Sequence, residues 1–231
     1  MKLKRKLILC LMSISILIAN LAIEGCATTQ TNYEDVDKEA WYTEAVNYVA
    51  EEQIMVGIGN NRFSPQGSVT RAQAVQVLYA LSKKKSTTPN VTTKIDTIFV
   101  DVKNEAWYAE ALSWAYPRFI MGYPDGTFRP DRLITREEFS AILWSFAMQD
   151  GKTREWNKDI SSFPDYNEVS EYARYPLCWM FSHGLINGTG KGLEPKSNLT
   201  RAQLAMVMFR YKDVEEETIN DIIIPASHNN A

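Results

Sequence analysis

The chain has 231 residues, 45% hydrophobic and 23% charged, with a formal net charge of −3. That composition describes an ordinary globular protein with ample apolar surface to bury, and its acidic balance argues against nucleic acid as a partner. The length allows one or two domains.

The chain opens on Lys2, Lys4, Arg5 and Lys6, followed by an apolar run from Leu7 to Ile23 broken only by Ser13, Ser15 and Asn20. This predicts an export signal over residues 1–26, separate from the folded part. The run spans 17 residues, the short limit for a membrane helix. Ile23-Glu24-Gly25-Cys26 resembles the lipobox of bacterial lipoproteins, which implies a lipid on Cys26, although Glu24 stands where a small residue is usual. Ordinary cleavage after Ala27 is the alternative. Either route removes Cys10 and leaves Cys178 alone, so no internal disulfide is expected. Cys178 is expected to be a buried small apolar residue. Removing residues 1–25 leaves 21 basic against 27 acidic residues, a net charge of −6.

Three four-residue stretches then recur: Thr70-Arg71-Ala72-Gln73, Thr135-Arg136-Glu137-Glu138 and Thr200-Arg201-Ala202-Gln203, each 65 residues from the last. A strict period of this size signals internal repeats. Each unit opens on an aromatic and an aspartate: Tyr33 with Asp35, Phe99 with Asp101, Phe163 with Asp165. A large ring follows (Trp41, Trp107, Tyr172), then a helical stretch ending at a glycine (Gly57, Gly122, Gly188). A turn-rich loop containing Pro65, Pro130 or Pro195 leads into a second helix at the Thr-Arg pair. The units are expected over 33–82, 99–148 and 163–212, with polar linkers at 83–94 and 149–159 and a loose tail over 213–231.

The second helix carries an apolar stripe at i, i+3, i+4 and i+7 in every unit: Ala74, Val77, Leu78, Leu81; Phe139, Ile142, Leu143, Phe146; Leu204, Val207, Met208, Tyr211. A unit this small buries too little alone, so the three faces are expected to pack together. Pro117 should end or kink the first helix of the second unit, and Pro176 falls near the start of the corresponding helix in the third.

Thr70, Thr135 and Thr200 with Gln73, Glu138 and Gln203 form capping boxes. The arginines are not explained by capping, because a cation at a helix N-terminus is unfavourable by about 0.3–1 kcal/mol. One compensation is an internal partner such as Asp35, Asp101 or Asp165. The other is an external anion, drawn by free N–H groups, the helix dipole and a guanidinium fork. Trp41, Trp107 and Tyr172 begin helices, which favours a place in the core; stacking on a sugar face is the alternative.

The stretch FVDVKNEAWYAEALSWA followed by GYPDGTFRPDRLITREEFSAIL resembles an S-layer homology (SLH) repeat, and the three units resemble the tandem SLH triplet. The resemblance implies an all-α fold, with three helical repeats in pseudo-threefold arrangement around a central three-helix bundle. It implies non-catalytic anchoring in the bacterial cell envelope, through an acidic secondary cell-wall polysaccharide that carries a pyruvyl ketal and lies in grooves between repeats. By position the ligand-binding residues would be Arg71, Arg136, Arg201, Asp35, Asp101, Asp165, Gly57, Gly122, Gly188, Trp41, Trp107, Tyr172, Glu138, Gln73 and Gln203. Only Glu138 keeps the motif's Glu, and the third repeat departs most from the pattern, with Tyr172 for the usual Trp and a shortened loop that has Leu193 where Phe63 and Phe128 stand.

The chain carries little besides the triplet, so an envelope adaptor meeting another envelope protein is the alternative function, with membrane attachment only through a lipid at Cys26. His183 and His228 are the only histidines, and no Ser-His-Asp pattern, P-loop or metal-ligand spacing occurs. No catalytic residue, metal or cofactor is expected.

Overall fold

The computed structural model describes residues 33–84, 93–152 and 155–214. The export signal expected over 1–26, the lipidation expected at Cys26, and nearly all of the 213–231 tail lie outside the described residues. Among the described residues there are six α-helices: α1 Thr43–Glu51, α2 Arg71–Lys84, α3 Ala109–Ala115, α4 Arg136–Gln149, α5 Glu171–Ser182 and α6 Arg201–Tyr211. The described part is all-α, its β-structure confined to isolated bridges.

Each repeat contributes a first helix (α1, α3, α5) and a second (α2, α4, α6). The second helices start where the sequence places them. Gln73, Glu138 and Gln203 donate their backbone N–H to the hydroxyls of Thr70, Thr135 and Thr200 at 3.2 Å, and their side chains accept from the same threonines' N–H at 3.0 Å. These are three complete capping boxes. Helix α3 is the shortest because Pro117 forces Tyr116 into extended backbone, at ψ 139°. Pro176, by contrast, lies inside α5, which runs on to Ser182.

The residue before each capping threonine builds the join between repeats. Val69 N–H donates to Leu199, Leu199 N–H to Ile134, and Ile134 N–H to Val69, each at 2.9 Å. The three side chains are buried. This closed ring of backbone hydrogen bonds ties all three repeats at one point. Single bridges flank it, Thr70 with Leu133, Thr135 with Asn198 and Ser68 with Thr200.

All twelve stripe residues are buried. The helix pairs they build are cross-repeat pairs: α2 packs on α3, α4 on α5, and α6 returns to α1. Among the second helices, α2 packs on α4, and the Phe146 ring of α4 meets Tyr211 of α6 at 5.9 Å. Among the described residues, no repeat packs its own first helix on its own second; the next repeat supplies the cover.

Two expectations are corrected. Cys178 is only partly buried, at the edge of the core, with burial raising its thiol pKa. Within the stretch 149–159, expected as a polar linker, Lys152 is packed into the fold: it is 5% exposed and donates to the Val214 carbonyl at 2.7 Å. A lysine head there satisfies a backbone acceptor at the end of the third repeat.

Candidate functional site

Each opening aspartate fastens a loop of its own repeat. Asp35 accepts from the N–H groups of Phe63 and Ser64, both at 2.7 Å. Asp101 does the same for Phe128 and Arg129 at 2.8 and 2.7 Å, and Asp165 for Leu193 and Glu194 at 2.9 and 2.6 Å. Ser64, Arg129 and Glu194 have left-handed φ of 59°, 60° and 49°. Such backbone costs about 1–2 kcal/mol for a residue with a Cβ, and two bonds to one carboxylate hold it.

The opening aromatic explains the glycine. A Cβ on Gly122 would lie 2.3 Å from the Phe99 ring and 2.9 Å from the Thr127 carbonyl, and Gly122 also has φ +74°. Gly57 and Gly188 stand against Tyr33 and Phe163 in the same way, with ring approaches of 2.7 and 2.5 Å.

The arginines join one repeat to the next. Arg71, Arg136 and Arg201 are buried. Their Nε groups donate to the carbonyls of Phe128, Leu193 and Phe63 at 2.9, 2.8 and 2.7 Å. Those carbonyls belong to the residues whose own N–H groups Asp101, Asp165 and Asp35 hold, so in each repeat one loop residue is gripped from both sides. Arg71 also lies over the Phe128 ring at 5.0 Å and Arg201 over Phe63 at 4.5 Å. Leu193 offers Arg136 no such ring face.

The same loops close the helix N-termini. The N–H groups of Arg71, Arg136 and Arg201 donate to Arg132, Ser197 and Gly67, and those of Ala72, Glu137 and Ala202 to Pro130, Pro195 and Pro65. The N–H of the third helical residue is taken by the cap. The free N–H groups that would draw an anion to these helix ends are therefore occupied by backbone carbonyls. Any anion must be met by the guanidinium groups themselves.

Two clefts expose those of Arg71 and Arg136. One, of about 380 Å³, is lined by Arg71, Gly122, Tyr123, Glu138 and Tyr172 among others. The second, of about 340 Å³, is lined by Arg136, Gly188, Gln203, Arg210 and Trp41, with an apolar floor that includes Phe139, Leu177, Leu185 and Val207. In both, an arginine of one repeat meets the glycine and cap residue of the next and the ring of the one after. The site residues are thus sorted across repeats rather than within them. Tyr172 belongs with Arg71, while the shortened third-repeat loop belongs with Arg136. Arg201, Gly57, Gln73 and Trp107 line neither cleft, and Arg201 uses a further nitrogen to bind the Val56 carbonyl at 2.6 Å. Asp35, Asp101 and Asp165 line neither cleft and are engaged by the loop amides.

The rings also differ from their expected place. Trp41, Trp107 and Tyr172 are 61%, 62% and 55% exposed. They stand out of the core although they precede or begin helices, because Tyr42 and Tyr108 take the inward position beside the two tryptophans.

Among the described residues, no carboxylate lies within ion-pair distance of Arg71, Arg136 or Arg201. Burial lowers the pKa of all three, though an arginine stays charged under such a shift. Around the first cleft the Tyr123 ring faces Arg71, Arg129 and Arg132 at 4.8, 4.0 and 5.8 Å. Arg129 is paired with Asp125 and Arg132 with Glu138. Arg71 has a carbonyl and two rings as neighbours and no carboxylate partner. Sequence reasoning missed Tyr123, Arg132 and Glu137. The only signal for Glu137 was its place in the motif, where Ala72 and Ala202 stand.

The S-layer homology domain model matches residues 32–75, 98–140 and 162–205. Among curated proteins the chain is similar to a surface-layer 125 kDa protein of Lysinibacillus sphaericus, 28% identical over 84% of this chain and 16% of that protein. It is similar to a cellulosome-anchoring protein of Acetivibrio thermocellus, 30% identical over 68% of this chain and 32% of that protein. It is also similar to an amylopullulanase of Thermoanaerobacterium thermosulfurigenes, 29% identical over 74% of this chain and 9% of that protein. The chain thus spans a third or less of the length of these relatives. Three matched segments, three capping boxes and three arginine clamps agree in register, and the chain belongs to the S-layer homology domain family.

Proposed function

We propose that the chain is a non-catalytic cell-envelope anchoring module that binds an acidic cell-wall polysaccharide in the clefts of Arg71 and Arg136, the acid group being a carboxylate such as a pyruvyl ketal. Family membership and the surface-layer and cellulosome-anchoring relatives support a role at the cell surface. The match to an enzyme covers only 9% of that enzyme, which supports a shared module rather than shared catalysis.

The observation that carries the reading is the state of the two arginines. Each is buried, unpaired with any described carboxylate, hydrogen-bonded among the described residues only through Nε, and set in a cleft with an exposed ring. The outer guanidinium nitrogens can hold a carboxylate in two places, while Tyr172 or Trp41 covers a sugar face. The arginine therefore has two tasks: Nε ties the repeats, and the rest of the fork meets the ligand.

Retention on purified wall sacculi, before and after mild acid removal of pyruvate, tests this. Arg71→Lys and Arg136→Lys keep a cation and a donor but lose the planar fork. Each should weaken retention by about tenfold, the scale of one charged hydrogen bond, without a large change in thermal midpoint. Pyruvate removal should have a similar effect. Unchanged retention in all three arms overturns the reading. Crosslinking in intact cells that yields one dominant protein adduct and no glycan points instead to the adaptor role.

A further inference from the structure

Glu137 is a carboxylate with no counterpart in the other repeats, where Ala72 and Ala202 stand. It is 4% exposed. One oxygen accepts from the Ser170 hydroxyl at 3.0 Å, the Tyr172 hydroxyl at 3.2 Å and Lys196 Nζ at 2.5 Å. The other accepts from the Ser170 N–H at 3.0 Å. A buried carboxylate is tolerated only when paired and hydrogen-bonded in this way.

Its neighbour matters because Tyr172 lines the Arg71 cleft. Glu137 precedes Tyr172 by 35 residues, the same interval as from Ala72 to Trp107. At the corresponding positions of the preceding pair of repeats stand an alanine and a tryptophan. Here both positions have changed: the small residue has become a carboxylate, and the indole has become a phenol.

We propose that Glu137 is a positioning residue for the Arg71 cleft, holding the Tyr172 ring as its aromatic wall, and that the Glu137–Tyr172 pair stands in for an Ala–Trp pair. The proposal rests on the polysaccharide-binding reading and adds to it. A free phenol on an exposed side chain would lose rotamer freedom on stacking, whereas the tethered ring has already lost it. Because the hydroxyl donates to Glu137, it can serve any further partner only as an acceptor. The wall thus favours a sugar bearing a hydroxyl donor beside its acidic group. Lys196 offsets the charge of Glu137, so the carboxylate does not oppose the anion that Arg71 attracts.

Retention of the full chain on wall sacculi tests the coupling. Tyr172→Phe removes only the hydroxyl, and Glu137→Gln keeps the shape while weakening the acceptor. Each should weaken retention about fivefold, the factor carried by one hydrogen bond, and the double variant should be no worse than either alone. Glu137→Ala should also weaken retention, and adding Tyr172→Trp should restore it by recreating the first repeat's pair. Losses that multiply in the double variant, or a Glu137→Ala/Tyr172→Trp chain that folds without recovering, overturn the proposal. Arg71→Lys separates the two readings. If it leaves retention intact, the binding reading fails for the Arg71 cleft, and the positioning role falls with it. If it weakens retention while Tyr172→Phe and Glu137→Gln do not, only the positioning role fails.

Discussion

The ring-against-glycine geometry that recurs in the three repeats can be divided into its parts by three substitutions. Gly126→Ala introduces a methyl into open space at φ +77°, so it meets backbone strain alone, about 1–2 kcal/mol. Gly57→Ala leaves the left-handed problem aside, since Gly57 is not in that region. Its Cβ would lie 2.7 Å from the Tyr33 ring and 2.8 Å from the Arg62 carbonyl. Overpacking of that kind costs about 1–3 kcal/mol. Gly122→Ala combines both, at φ +74° with approaches of 2.3 Å to Phe99 and 2.9 Å to Thr127. Its expected cost is about 2–5 kcal/mol. Urea unfolding followed by tryptophan fluorescence should show midpoints falling in the order Gly126→Ala, Gly57→Ala, Gly122→Ala at constant slope. In a thermal melt each kcal/mol corresponds to about 2–4 °C. A Gly122→Ala chain no less stable than Gly126→Ala would show that the Phe99 ring does not impose the glycine. Phe99→Leu, destabilising alone, should be partly compensated in the Gly122→Ala background.

Three further outcomes follow from the repeat joins. Ile134→Pro deletes the N–H that donates to Val69 in the central ring, and should cost about 3 kcal/mol or more in urea unfolding. Trp41→Ala and Arg136→Ala act on one cleft, so their effects on sacculus retention should be non-additive, whereas Trp41→Ala with Arg71→Ala should combine additively. For acid stability, burial pushes the Asp35 carboxyl up, but the Phe63 and Ser64 amides outweigh it and hold its pKa below the usual value. Its contribution is therefore present above the unfolded carboxylate pKa of about 4 and lost as pH falls through the lower folded value. Asp35→Asn should flatten the fall in urea midpoint below about pH 4, and an unchanged acid limb would place the loss elsewhere.

Much of the fold was legible because it is local. A threonine with Glu or Gln three places on, ahead of an apolar run, signals a helix start from local sequence, and a period-3.6 stripe marks its buried face, so Thr135 with Glu138 and Phe139 with Ile142 needed no tertiary information. Pro117 stopping α3 is local in the same sense. The fate of the aromatic rings was less legible. Trp41 and Tyr42 are adjacent, and periodicity alone does not say which of two neighbouring rings turns inward.

The sequence by itself determined that there are three helical units with capped second helices, and it marked the arginine as a residue that capping does not explain. Only the tertiary structure decided how the units share their parts. Arg71 binds a carbonyl 57 residues away and Arg201 one 138 residues away, and neither carbonyl carries a sequence signal, because every residue has one. The pairing is set when each apolar helix face is covered by the following repeat. That same closure fills the helix N-termini with backbone acceptors and leaves the guanidinium groups of Arg71 and Arg136 as the parts still open to a ligand.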